Sequence, residues 1–173
     1  DVAREFYKDY NKAFVAQWKK TTGEDVNVTQ SHGGSSKQAR AVLDGLEADV
    51  VTMNQSSDID VLATKGQLLP ADWFKRLPDN AAPTTSVTVI LVRKGNPKKI
   101  ADWADLGKPG TSVVIPNPKV TGNGRYTYVA AWGSVIKAGG TPAQAKELVT
   151  KIFGNVPVFD GGGRAATTTF AQR

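Results

Sequence analysis

The sequence contains no cysteine, a single histidine and a single methionine. The first absence excludes disulfides, thiolate-bound metals and a cysteine nucleophile, and it leaves the redox compartment open. With His32 alone, no metal site built on two histidines can form, and a serine-histidine-aspartate triad has one candidate base. No apolar run approaches the roughly 18 residues of a membrane-spanning helix. The chain opens directly in amphipathic sequence, so an export signal has been removed or never existed. Acidic residues are fewer than basic ones, 16 against 22, for a formal charge of +6. That surplus is scattered, with acids interleaved, and lacks the one-faced stripe that phosphate-backbone contacts need; no nucleic-acid partner is expected.

What is present is ordinary for a globular chain: 173 residues, 40% hydrophobic and 22% charged, enough for one sizeable domain or two small lobes. Phe6, Tyr10, Phe14 and Trp18 recur every fourth residue, predicting a helix over 1–23 whose aromatic stripe is a core face. Strand-like runs at 26–30 and 49–53 alternate with helix-like runs at 36–46 and 58–65. After a proline-broken connector, T-T-S-V-T-V-I-L-V over 84–92 is the strongest strand pattern. Helices follow over 99–106, 124–138 and from Pro142 to Phe153, the last opened by a Thr141–Gln144 capping box. Strands are expected at 111–115 and 156–159. This alternation predicts an α/β fold in two lobes, each a sheet flanked by helices: 1–83 the first part of one lobe, 84–92 a crossover strand, and 93–173 most of the other. Both ends read as cut, since no strand precedes Asp1 and Arg173 falls within a helical pattern without a cap.

Three turns carry small residues where a strand-like run meets a helix-like run: S-H-G-G-S-S-K-Q at 31–38, V-T-G-N-G-R at 120–125 and D-G-G-G-R-A-A at 160–166. The first N–H groups of a helix lack intrahelical acceptors and sit at the positive end of its dipole, so each turn is an anion cradle, with Ser35 or Ser36 expected to cap the first helix. Loops at the carboxyl edge of parallel strands converge, so the three are expected to face one cleft. Each N–H donated to a charged group contributes roughly 1.5 to 3 kcal/mol, which suits a compact tetrahedral dianion. Neither the first nor the second cradle contains an acid. Fully ionised sulfate wants donors only, whereas phosphate near neutral pH keeps a proton and wants an acceptor. Asp160 is the exception that reverses this argument if its carboxylate faces the cleft. The P-loop pattern is absent and G-N-G at 122–124 lacks the third glycine of a dinucleotide fingerprint. No catalytic residue, metal or cofactor is expected. His32 is read as a brace for its loop, and Asp160 and Arg164 as a structural pair. The two N-x-[ST] matches, at Asn27 and Asn54, are read as chance. The alternative is an enzyme acting on a phosphorylated small molecule through the same cradles, with His32 or Asp160 as acid or base.

Taken together, Q-S-H-G-G-S-S-K-Q-A, E-A-D-V-V-T, K-R-L-P-D-N, L-V-R-K-G-N-P-K, D-W-A-D-L, P-N-P-K-V-T-G-N-G-R-Y-T-Y, A-A-W-G and G-G-R-A-A-T-T-T-F resemble the periplasmic sulfate- and thiosulfate-binding proteins of bacterial ABC importers. The motifs occur in order along the whole chain, over rather more than half of a member's length. The resemblance implies a type II-like clamshell fragment, a monomer in the periplasm, that closes on sulfate or thiosulfate and delivers it to membrane permease subunits. By motif it implies that Asp1 and Ser35 bind through their amides, Thr121 through its hydroxyl, and Gly122, Asn123 and Gly163 from the second lobe. Asn123 stands where some relatives have glycine, and the amide of Asp1 is here a chain terminus.

Overall fold

A computed structural model describes the backbone of residues 2–173 and the side chains from Arg4 onward. The chain divides into two compact units, Asp1–Gly33 and Gly34–Arg173.

The first unit is α1 (Val2–Thr22) and an extended tail. The helix stops at Gly23, whose φ of 79° only glycine takes without strain. Its aromatic stripe forms as spaced, with Phe6 stacked on Tyr10 at a centroid distance of 5.7 Å and Phe14 tilted against Trp18 at 5.8 Å. The expectation that the stripe is buried fails: all four rings are exposed. A single helix has no second surface to cover its apolar face, and its own tail does not supply one. His32 Nε2 donates to Gln30 Oε1 at 2.7 Å, a local brace within the tail.

The second unit holds α2 (Ser35–Leu43), α3 (Ser56–Thr64), the short turn α4 (Pro78–Ala81), α5 (Trp103–Leu106), β1 (Ile115–Pro116), α6 (Gly122–Lys137), α7 (Pro142–Gly154), β2 (Phe159–Asp160) and α8 (Gly163–Gln172). Helices α2 and α3 pack together, burying Ala39, Leu62 and Ala63. The larger core is Leu106, Val113, Ile115, Ala131, Val149 and Ile152, where α5, α6 and α7 close around β1. The expected Thr141–Gln144 capping box opens α7. A second, Asp102–Asp105, opens α5; Lys108 and the N–H groups of Ala101 and Asp102 hold the Asp105 carboxyl down at about 2, so it stays ionised.

The expected sheets are largely missing. Among the described residues one two-stranded parallel ladder forms, Ile115 opposite Phe159 and Pro116 opposite Asp160. The runs 26–30, 49–53 and 84–92 join no ladder. High β-propensity expresses fit to a pleated neighbour, and without one the backbone N–H and C=O groups remain with solvent. Ile90 does pack on the core, but Val87, Val89 and Leu91, on the other side of the same run, are exposed.

One glycine in α6 is dictated by crowding. A Cβ on Gly124 would lie 2.6 Å from Pro118 N and 2.8 Å from Asn117 C, backbone atoms that cannot swing aside. Gly124→Ala is therefore expected to cost about 2 kcal/mol. Gly133, in the same helix with open space around it, should gain up to about 1 kcal/mol on Gly133→Ala. Thermal melts of the two variants should move in opposite directions.

Candidate functional site

The three cradles meet within the second unit. Gly34 lies against the second cradle, where a Cβ would be 3.1 Å from Thr121 Cγ2 and 3.3 Å from the Val120 carbonyl carbon. A Cβ on Gly122 would fall on the side-chain amide of Asn54, and one on Gly163 would be 2.7 Å from Asn123 Nδ2. Side chains at these positions would fill the space through which the turns touch.

Ser35, Gly122 and Gly163 are the first residues of α2, α6 and α8, and Asn123 is the second of α6. All four expected amide donors from these turns thus lie in the first turn of a helix, where N–H groups point outward without intrahelical acceptors. Helix α6 begins two residues before its expected start at 124, which is what places Gly122 and Asn123 there. The expected serine cap of α2 is not formed. Gly34 is the N-cap of α2 and Gly162 that of α8, and neither helix has a capping side chain. Two positive helix ends are therefore left for an outside acceptor.

Thr121 differs from its expected role. It is buried, its Oγ1 accepts from Gly124 N at 3.0 Å, and its hydroxyl hydrogen goes to Asn117 O at 2.8 Å. A hydroxyl has one hydrogen, so here it caps α6 and ties the preceding loop rather than offering a donor to a ligand. Asp1 lies outside the described residues.

Two side chains that sequence reasoning did not single out for the site hold it together. Asn54 accepts from Ser35 Oγ at 2.7 Å through Oδ1 and donates from Nδ2 to Asn123 Oδ1 at 2.6 Å. Its backbone N–H returns to Ser35 Oγ at 3.1 Å and its carbonyl takes the Tyr126 hydroxyl at 2.8 Å. In the sequence Asn54 showed only as a chance glycosylation match. Arg125 reaches from α6 to Asp58 Oδ2 on α3 at 2.6 Å and to Ser36 Oγ on α2 at 2.5 Å, while Ser36 Oγ donates to Asp58 Oδ1 at 3.2 Å. Asp58 is only 5% exposed, and a charge so buried needs a partner of this kind.

Asp160 takes the Thr169 hydroxyl on Oδ1 at 3.2 Å, and its Oδ2 is buried without a partner. No group of three or more acids and histidines that could hold a metal occurs among the described residues.

Comparison with known proteins follows the same lines. The family model described as bacterial extracellular solute-binding protein matches residues 2–173. A thiosulfate-binding protein of Pseudomonas aeruginosa is 63% identical over 172 residues, covering 99% of this chain and 52% of the relative. A sulfate-binding protein of Salmonella typhimurium is 52% identical over 174 residues, covering 100% and 53%. Among solved structures, the sulfate-binding protein SubI from Mycobacterium tuberculosis superposes with a TM-score of 0.81 at 32% identity, over 93% of this chain and 56% of that one. The chain spans about half the length of the curated relatives it matches.

Proposed function

Because this chain belongs to the bacterial extracellular solute-binding proteins, we propose that it forms part of the receptor of an ABC importer and captures sulfate or thiosulfate without chemical turnover. The observation that carries this reading is the convergence of the first turns of α2, α6 and α8, with two of the three left uncapped. The amides of Ser35, Gly122, Asn123 and Gly163 are the donors, joined by Asp1 as the resemblance implies. Thr121 serves by fixing the first turn of α6. In this reading 84–92 is the crossover between lobes, 1–83 contributes to one and 93–173 to the other, and permease subunits receive the closed form.

Physical chemistry favours a fully ionised anion. Neutral N–H donors at helix ends stabilise a dianion without a counter-charge, and the buried carboxylate of Asp58 is already paired with Arg125. A hydrogen phosphate would bring a proton that wants an acceptor, and neither the first nor the second cradle contains an acid to take it.

Calorimetry on the intact protein tests this reading. Sulfate and thiosulfate should bind at one site, phosphate should not, and no phosphate ester should be hydrolysed. Failure to bind either sulfur oxyanion, or release of phosphate from an ester, would overturn it.

A further inference from the structure

Along the whole sequence the surplus of positive charge is scattered, but the elements do not share it evenly. The three stretches of the second unit that carry the cradles, 34–43, 106–146 and 161–173, hold nine of the 22 basic residues and none of the 16 acidic ones. Two carboxylates border the cradles, and both are engaged. Asp58 is paired with Arg125, and Asp160 takes the Thr169 hydroxyl on Oδ1 while its Oδ2 is buried. Lys37, two residues after Ser35, and Lys119, two before Thr121, are exposed and belong to no ion pair among the described residues. Their turns touch, since a Cβ on Gly34 would lie 3.1 Å from Thr121 Cγ2 and 3.3 Å from the Val120 carbonyl carbon. Unpaired like charges on adjoining turns repel one another, and together they raise the local potential met by an incoming anion.

We infer that Lys37 and Lys119 are a capture pair, which draws a dianion to the mouth of the site and speeds its entry without being among the groups that hold it. The inference rests on the anion-binding reading above and adds a division of labour. Main-chain N–H groups set how long the anion stays, and the two ammonium groups set how often it arrives. The field of a helix end falls off within its first turn. A surface cation reaches further, over a Debye length of about 30 Å at 0.01 M salt and about 8 Å at 0.15 M, and it attracts a dianion twice as strongly as a monoanion. An anion approaching from solution therefore meets the lysines before the amides. Lys37 follows Ser35 on α2 at a spacing of two, and helix positions so spaced do not face each other, so the helix does not aim its ammonium group at the Ser35 amide. Lysine suits the task, being a flexible and strongly hydrated point charge.

The test separates arrival from residence. Sulfate is mixed by stopped flow with the unchanged protein, K37Q, K119Q, the K37Q/K119Q double variant and K137Q, at ionic strengths of about 0.01 and 0.15 M set with sodium chloride. Lys137 is exposed at the far end of α6, about 22 Å from Gly122 by the helix rise, so K137Q removes the same unit charge away from the cradles. At the lower salt each cradle variant should associate about threefold more slowly and the double variant about tenfold, whereas at the higher salt each single change should stay within about 1.5-fold. Dissociation rates should stay within about 1.5-fold throughout, and K137Q should associate within about 1.5-fold of the unchanged protein at either salt. Three results overturn the inference: an unslowed double variant at low salt, a K137Q as slow as K37Q, or a loss that falls on dissociation instead of association. The lysines are exposed, and thermal melts check that each variant folds; if one does not, the other single variant is judged by the same criteria. If the unchanged protein binds neither sulfate nor thiosulfate at equilibrium, the anion-binding reading itself fails, an outcome that no variant can imitate.

Discussion

Ser35→Pro is expected to leave the protein folded and to weaken sulfate binding by about 100-fold, the loss of one N–H donated to a charged group together with its local network. The substitution is mild for the backbone. Ser35 is the first residue of α2, where proline is well tolerated because its missing N–H has no intrahelical acceptor. The preceding residue, Gly34, already has φ −61° and ψ 138°, the extended conformation that a following proline demands. Ser35→Ala keeps the N–H but removes the hydroxyl that orients Asn54, and should cost about tenfold. Lys37→Ala removes an exposed charge from the next part of the turn and should change little at moderate salt. Calorimetry beside a thermal melt separates binding from folding. If Lys37→Ala proves more harmful than Ser35→Pro, the anion is held by charge and not by main-chain donors.

Asp58→Ala is expected to destabilise the protein by about 3 kcal/mol, because it leaves the Arg125 guanidinium without its counter-charge. The Arg125 side chain is 32% exposed and that of Asp58 6%, so water reaches one partner far more readily than the other. Arg125 Nε is already buried with no partner, and removing the carboxylate would leave Nη2 with the Ser36 hydroxyl alone. For a chain of this size the loss corresponds to a melting temperature lower by about 6 to 12 °C. Asp58→Asn should cost less, since an amide oxygen still accepts from Arg125 or Ser36. An unchanged melting temperature for Asp58→Ala would mean that the pair's attraction only balances its dehydration. Because the pair joins α2, α3 and α6, anion affinity should fall with stability.

The helices were legible in the sequence because their signals are local. Gly23 ends α1, Thr141 with Gln144 opens α7, and the aromatic spacing of α1 is helical in fact as in pattern. The three cradles were legible for the same reason, each being a short run of glycine and hydroxyl residues before a helix. What failed depended on neighbours. The run 84–92 has the composition of a strand, but composition cannot supply an adjacent backbone, and Val87 and Val89 remain exposed. The stripe of α1 has a core pattern with no core against it in its own unit. Asn54 was missed because its partners, Ser35 and Asn123, are 19 and 69 residues away.

Those long separations shape how the molecule comes together. Ser36 and Arg125 are 89 residues apart, and Asp58 and Arg125 67. Closing such loops costs entropy that only later contacts repay, so these joints are expected to form late in assembly. Contacts absent from the transition state govern the unfolding rate and leave the folding rate nearly untouched. An anion seated among the three turns would accordingly act as a brake on opening the native chain, and stopped-flow traces should show slower denaturation in sulfate with refolding at its usual pace.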